Sequence, residues 1–224
     1  GRVKFDGNGY LYMSTGERSD INTRPFAQSL ETATGKVLRL TRDGAAAPGN
    51  PFASRAGALP EIYSYGHRNP QGLAISTSNG HLWQSEMGPR GGDEINYIEP
   101  GRNYGWPIIS YGIEYTGEPV GRGITQQDGM EQPVYYWDPV ISCSGITFYN
   151  GQGMPEWKDN LFLACLSGMQ ITRLVISNNK VVGEERLLQS EQQRFRDITQ
   201  GADGALYAAK AAGRHLGRPP KLNG

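Results

Sequence analysis

A chain of 224 residues is long enough for one domain with a sizeable core. Its formal net charge of +0 at pH 7 and mean hydropathy of −0.54 point to neither a nucleic-acid nor a membrane partner. No apolar run approaches the roughly 20 residues that span a bilayer. The chain opens on Gly1 in a strand-like segment, without an initiator Met or a signal-peptide pattern, so we expect a piece of a longer protein.

One local pattern recurs four times along the chain. A turn is followed by an apolar residue beside an aromatic one and then by an alternating strand, in residues 7–15, 78–86, 158–166 and 202–210. Asn-Gly, Asp-Gly or Asp-Asn at each turn supplies the positive φ that a hairpin needs. The segments before and after each hairpin are predicted to be its partner and outer strands, and helical periodicity is absent. The sequence therefore predicts an all-β protein with about four propeller blades, a β-sandwich being the alternative.

The cysteines and histidines say less about function. Cys143 and Cys165 lack metal-ligand spacing, and two buried thiols are favoured over a disulfide. His67 adjoins Arg68 and is a candidate supporting residue, His81 is predicted to be exposed in a hairpin, and His215 lies in the irregular tail. None of the three is a persuasive general base. The tail itself, residues 213–224, breaks the alternation where a last strand is expected, and we expect it to be frayed.

Arginines in two segments suit an anionic ligand. Arg194 and Arg196 stand at positions i and i+2, so on a strand both guanidiniums project from one face. Two such groups suit planar carboxylates, although a solvated face paired with Asp197 and Glu191 explains the pattern equally in isolation. The rigid turn HRNPQG adds the donors of Arg68 and Asn69. Three arginines around one cavity would indicate a polyanionic ligand.

The segment SEMGPRGGDEIN, residues 85–96, suits a hard cation. Carbonyls left free in the Gly88-Pro89 turn are natural calcium ligands, and Glu94 could supply a carboxylate to a second cation. An acid-capped loop without metal is the alternative. Four aromatic residues nearby could form a sugar or cofactor platform, although such residues more often fill a core: Tyr104, Trp106, Tyr111 and Tyr115.

Together these motifs resemble the PQQ-dependent soluble aldose sugar dehydrogenases, the soluble glucose dehydrogenase family. GHRNPQG, GPRGGDEIN and NYGWP follow one another in an order specific to that family, and the likeness runs along most of the chain. The resemblance implies a six-bladed β-propeller, of which residues 1–224 would be a single incomplete domain lacking the N-terminal part. It also implies pyrroloquinoline quinone (PQQ) and Ca²⁺ as cofactors and an aldose sugar as substrate.

The motifs carry the family's site residues onto this chain. The resemblance implies six cofactor contacts: Arg68, Asn69, Tyr115, Ser142, Arg194 and Arg196. It also implies that the Gly88 and Pro89 carbonyls bind the calcium that polarises the quinone, and that Glu94 and the Tyr104 carbonyl bind a separate structural calcium.

The family oxidises the anomeric carbon to the lactone with a histidine base from an H-x-G-G-R motif. Gly1-Arg2 resembles the end of that motif, so we expect the base to be absent and the fragment to be inactive. Glu17 resembles the acid that orients the base.

The alternative function is a non-catalytic propeller that binds a sugar or a protein. The family also implies a periplasmic or secreted location and an electron acceptor, which the sequence leaves unknown. A homodimer is one option for the assembly. We expect no nucleic-acid partner and no membrane span.

Overall fold

The computed structural model describes residues 1–211. Within that range the chain forms fourteen β-strands and three short 3-10 helices, Arg24–Ala27, Pro155–Trp157 and Gln189–Glu191. No helix there is long and apolar enough to cross a bilayer. The absence of helical periodicity in the sequence is thus matched by a structure built almost entirely from strands and turns.

The described strands form three four-stranded antiparallel sheets and a hairpin. The first sheet contains β1 (Val3–Phe5), β2 (Leu11–Ser14), β3 (Lys36–Leu40) and β4 (Ile62–Tyr65). The second contains β5 (Pro70–Ile75), β6 (Leu82–Glu86), β7 (Asp93–Ile98) and β8 (Tyr135–Trp137). The third contains β9 (Cys143–Phe148), β10 (Leu161–Cys165), β11 (Gln170–Ser177) and β12 (Lys180–Leu187), and the hairpin pairs β13 (Phe195–Gln200) with β14 (Leu206–Lys210).

The four predicted hairpins are confirmed as the connections between the first two strands of each unit. Each contains a residue with positive φ: Gly9, Gly80, Asp159 and Gly204. Glycine adopts that backbone without a steric cost, and a short polar residue such as aspartate tolerates it. The turn chemistry that marks the repeat in the sequence therefore starts every unit of the fold.

The sheets pack face to face in series rather than as two opposed layers. One apolar cluster, with Tyr12 and Leu73 among its members, lies between the first and second sheets. A second, which includes Trp83 and Leu163, lies between the second and third, and a third cluster joins Phe162 to the final hairpin. The second and third sheets thus bury both faces against neighbouring units, whereas the first sheet packs on a neighbouring sheet through one face. This serial stacking is the architecture of propeller blades and is inconsistent with the sandwich alternative.

The innermost strand of each unit packs on that of the next, from β1 through β5 and β9 to β13. These innermost strands therefore surround the position at which a propeller has its central channel. The cysteines face each other across β9 and β10, and both are buried free thiols, which confirms the favoured reading over a disulfide. His81 is exposed, as predicted, whereas His215 and the tail 213–224 lie outside the described residues.

Candidate functional site

Arg68 is the central side chain of the candidate site. The turn between β4 and β5 carries it, and only 5% of its surface is exposed. Its Nη1 donates to the carbonyls of Met87 and Gly88, at 2.8 and 2.7 Å. Its Nη2 lies 3.5 Å from the Tyr115 hydroxyl, and its Nε has no hydrogen-bond partner among residues 1–211. The structure therefore brings Arg68, Gly88 and Tyr115 together, three residues that the sequence assigned to the site separately.

Trp106 separates two arginine guanidiniums. The Cζ atoms of Arg24 and Arg68 each lie 5.2 Å from its ring centroid. Arg24 also forms a bidentate ion pair with Glu114, one bond of which measures 3.0 Å. Because an aromatic face attracts cations, this stack fixes the plane of Arg68. Sequence reasoning missed Arg24 altogether, and it treated Trp106 only as a candidate platform residue.

His67 supports the site from within the core. It is fully buried, its Nε2 lies 2.9 Å from Ser64 Oγ, and its Nδ1 lies 3.0 Å from Glu86 Oε2. Its ring stacks on Tyr104 with centroids 4.8 Å apart. The other oxygen of Glu86 accepts the backbone N–H of Arg68. Since no substrate could reach this ring, His67 fixes the turn that carries Arg68, and the sequence-based doubt about it as a base agrees with this geometry.

Asp93 anchors the Gly88 turn, a role that the sequence did not reveal. Its Oδ1 accepts the Gly88 N–H at 2.9 Å, and its Oδ2 accepts the N–H groups of Ile141 and Cys143 at 3.0 Å each. Burial raises the pKa of Asp93, and these hydrogen bonds act in the opposite direction. The side chain thus ties the turn to the segment that contains Ser142. An aspartate directly after two glycines was the available signal.

The proposed structural calcium site coincides with a small cavity. Glu94 and Tyr104 both line it, together with Arg68, Gly88 and Pro89, and its volume is about 20 Å³. Burial and then repulsion from Glu86 raise the pKa of Glu94 to about 8. Glu94 forms no ion pair with a basic side chain of residues 1–211. An uncompensated carboxylate beside a void fits a cation, which would restore its charged form.

Backbone carbonyls would have to complete any calcium site here. Within the described range no three His, Cys, Asp or Glu side chains are arranged to hold a metal. The Gly88 carbonyl already accepts a hydrogen bond from Arg68, but a carbonyl oxygen has two lone pairs and can serve a second partner. A Cβ at position 88 would collide with the Gly91 and Gly92 carbonyls, so only glycine permits this turn.

Glu17 lies beside the Arg68 turn and is 1% exposed. Its backbone N–H donates to the Arg68 carbonyl at 2.8 Å, and its Oε1 accepts the Ser19 N–H at 3.0 Å. Its Oε2 is buried without a partner. Burial raises the pKa of Glu17, while the positive charge of Arg68 opposes that shift. A buried carboxylate oxygen of this kind has room for one more donor, which suits the orienting role that the resemblance implies.

Arg194 and Arg196 are both exposed on either side of buried Phe195, but Arg194 precedes β13 and the register of that strand is irregular between Phe195 and Asp197, so their projection from one face stays a prediction. Neither guanidinium has a hydrogen-bond or ion-pair partner among residues 1–211. The alternative pairing with Asp197 is not formed, because Asp197 binds Arg2 at 2.5 Å instead. Two exposed guanidiniums without a partner in that range thus remain available to an anion.

The remaining predicted residues have mixed surroundings. Ser142 precedes β9 with a positive φ of 53°, and its hydroxyl lies 2.7 Å from that of Ser167. Tyr115 is 71% exposed, which suits a ligand contact better than a core position. Tyr111 stacks on Tyr136 with centroids 4.0 Å apart, so this pair packs on itself. The aromatic platform is therefore limited to Tyr115 and the buried Trp106.

An open cavity of about 390 Å³ adjoins these groups. Arg68 and Asn69 line it from one side and residues 14–16 from the other. Pockets of this size hold small organic ligands. Arg68 also lines the small cavity described above, so it forms part of the wall of both spaces.

Serial four-stranded antiparallel sheets define a β-propeller, and solved structures that resemble it are sugar dehydrogenases. A glucose dehydrogenase crystal structure superposes with a TM-score of 0.89 at 45% identity, over 94% of this chain and 60% of that one. The PQQ-bound form of aldose sugar dehydrogenase from Streptomyces coelicolor matches with a TM-score of 0.68 at 34% identity, over 88% of this chain and 51% of that one.

The family follows from the sequence comparison. The sequence model described as Glucose / Sorbosone dehydrogenase matches residues 1–216, and the chain belongs to this family. Aldose sugar dehydrogenase YliI of Escherichia coli K12 is 44% identical over 209 residues, which are 92% of this chain and 55% of that protein. Quinoprotein glucose dehydrogenase B of Acinetobacter calcoaceticus is 56% identical over 106 residues, 45% of this chain and 21% of that protein. The chain spans about half the length of the curated relatives it matches most fully.

Proposed function

We propose that the protein to which this chain belongs oxidises aldose sugars at the anomeric carbon to the lactone, with PQQ and calcium as cofactors. The observation that carries the proposal is the pair of exposed guanidiniums of Arg194 and Arg196, which flank the first residue of β13 and have no partner among residues 1–211. Paired guanidiniums bind planar carboxylates through parallel hydrogen bonds. The similarity to the PQQ-bound aldose sugar dehydrogenase from Streptomyces coelicolor supports the choice of anion.

The cofactor would be held from several sides. Arg194 and Arg196 would bind its carboxylates, with Asn69 at the wall of the open cavity and Arg68 behind it. Tyr115 and Ser142 complete the proposed set of contacts. Only part of Arg68 is free for this task, because its Nη1 is already bound to two carbonyls. Arg68 would therefore contact the cofactor through Nη2 or Nε.

Calcium would bind at two places in the proposal. The Gly88 and Pro89 carbonyls would hold the ion beside the cofactor, and Glu94 with the Tyr104 carbonyl would hold a structural ion. The sugar would lose its anomeric C–H as a hydride and its hydroxyl as a proton, with bound PQQ supplying the two-electron acceptor and bound calcium the Lewis acid.

The proton acceptor would come from outside the described residues. His67 is enclosed by the core, and His81 lies in an exposed hairpin turn. The free oxygen of Glu17 suits a residue that orients a donor supplied by another segment. We therefore expect these 224 residues, assayed alone, not to oxidise sugar, and we expect activity from the full protein.

The test is a titration of PQQ against the full protein, followed by the change in absorbance of the cofactor, with and without calcium. Arg194→Ala/Arg196→Ala should abolish saturable binding. Arg42→Ala/Arg55→Ala is the matched control, because it removes two exposed arginines elsewhere. Unchanged PQQ binding by the first variant would refute the assignment. Sugar or protein binding that survives that change and needs no calcium would favour the non-catalytic propeller instead.

The wider assignments belong to the same proposal. The substrate would be an aldose, and the electron acceptor stays unnamed. We also expect the protein to be exported to the periplasm or secreted, and to form a homodimer. Cell fractionation with an antibody against this chain tests the location, and light scattering of the full protein tests the dimer.

A further inference from the structure

Arg2 binds two distant segments of the chain with a single guanidinium. Its Nε donates to the Gln71 carbonyl at 2.6 Å, and its Nη1 binds Asp197 Oδ2 at 2.5 Å. Its Nη2 donates to the Arg196 carbonyl at 3.3 Å. Three different partners at these distances define one position for the side chain. Asn69, in turn, accepts a hydrogen bond from the Gln71 side chain at 2.6 Å.

These partners lie on strands that are not neighbours. Arg2 precedes β1, Gln71 lies in β5, and Asp197 lies in β13. The innermost strands follow one another from β1 to β5, β9 and β13, so β9 stands between the last two partners. Arg2 therefore spans the channel rather than the seam between adjacent sheets. A cavity of about 190 Å³ lined by both Arg2 and Asp197 lies at this crossing.

The contacts fix the backbone that carries the two unpaired arginines. The Arg196 carbonyl accepts a second hydrogen bond, from Ser144 Oγ at 2.6 Å. Asp197 packs against Gly145 of β9, where any Cβ would collide with its carboxylate. The register of β13 is irregular between Phe195 and Asp197, so the bonds to the Arg196 carbonyl and to the Asp197 carboxylate hold the backbone at the point from which the Arg196 side chain leaves the strand.

Stability alone does not account for this arrangement. The Arg2 and Asp197 side chains are 28% and 40% exposed, and exposed ion pairs contribute little to folding. A positional role accounts better for a side chain that binds two carbonyls and a carboxylate across a channel.

We propose that Arg2 and Asp197 are positioning residues that hold Arg196, and with it the preceding Arg194, at the distance from Asn69 that the anionic ligand requires. The inference rests on the proposed function. It assigns to Arg2 and Asp197 a role at the site without direct contact with the ligand.

Arg2→Met in the full protein is the first test, with PQQ as the probe. Because a small misplacement of a binding group is costly, we expect the dissociation constant to rise about tenfold or more. Arg2→Lys keeps the charge for Asp197 but not the other bonds, and we expect it to recover part of the loss. Arg173→Met is the matched control, since Arg173 forms a partly buried ion pair with Glu185 at 3.2 Å, away from the channel. It should bind PQQ like the wild type.

An equal dissociation constant of PQQ for wild type and Arg2→Met would overturn the inference about Arg2. The proposed function would be unaffected by that result, because Arg194→Ala/Arg196→Ala tests it separately. A second measurement needs no cofactor. Amide hydrogen exchange of residues 195–200 should be faster in Arg2→Met and in Gly145→Ala, and unchanged in Arg173→Met. If wild type fails to bind PQQ, the proposed function fails, and this exchange decides the positional role alone. Unaltered exchange in both channel variants would then refute it.

Discussion

Lys36 offers a direct test of the energetics of this fold. It is fully buried in β3, and its Nζ donates to the carbonyls of Phe26, Ala27 and Thr34 at 2.8, 3.0 and 2.6 Å. Those carbonyls favour the ammonium form, whereas burial disfavours it. Burial prevails and lowers the pKa of Lys36 to about 7.

The sign of the pH effect follows from proton counting. Between the folded pKa of about 7 and the ordinary value of 10.5, the unfolded chain binds more protons at Lys36 than the folded chain does. The free energy of unfolding therefore rises with pH across that window. For these two pKa values, the contribution of Lys36 between pH 6 and pH 9 amounts to about 2–3 kcal/mol.

The assay is equilibrium urea unfolding of wild type and Lys36→Met at pH 6, 7.5 and 9. Met cannot titrate, so the wild type should gain about 2–3 kcal/mol relative to the variant from pH 6 to pH 9. Lys158→Met removes an exposed lysine and should show no such difference from the wild type. Parallel curves for wild type and Lys36→Met would refute the reasoning, since the carbonyls would then outweigh burial.

Three further outcomes are expected. Burial opposes ionisation of Glu184, but hydrogen bonds from Arg186 and two aromatic residues of β8 outweigh it and hold the pKa of Glu184 below its ordinary value. Glu184→Gln should therefore lower the urea midpoint at pH 7, and the difference from wild type should shrink as the pH falls below 4.5. Burial raises the pKa of Cys143 and Cys165, so iodoacetamide at pH 8 should label neither thiol until urea is added; rapid labelling of the native protein would contradict this. Trp106→Leu should lower the free energy of unfolding by about 1–2 kcal/mol per lost cation–π contact and should weaken PQQ binding. Trp106→Phe keeps an aromatic ring and should retain most of the stability and most of the PQQ affinity. Equal losses in the two variants would exclude the ring as the cause.

The fold was predictable because its signals are local. A positive-φ turn followed by an alternating strand needs only about ten neighbouring residues to be recognised, and four such units occur at 7–15, 78–86, 158–166 and 202–210. Asn-Gly and Asp-Gly fix the turn, and alternation fixes the face of the strand that becomes buried. The count of blades followed from the count of hairpins, although the described part of the fourth unit has only two strands.

The supporting residues of the site were not predictable in this way. Arg2 and Asp197 are separated by 195 positions, and no local pattern links them. Lys36 stands in a strand-like segment where a lysine ordinarily points to solvent, and only the neighbouring 3-10 turn encloses it. Arg24 was missed for the same reason, because its partners Trp106 and Glu114 lie far along the chain.

The charges of the site explain why its parts depend on one another. Arg68, Arg194 and Arg196 carry three positive charges, and each proposed calcium ion adds two more. If these groups meet at one site as proposed, they repel one another without a ligand, and the bonds of Arg68 to carbonyl oxygens and its contact with the face of Trp106 offset part of that repulsion. A ligand with several carboxylates reverses the sign of the interaction. Each cation then strengthens the binding of the others through the shared anion, so calcium and PQQ should raise each other's affinity by the same factor.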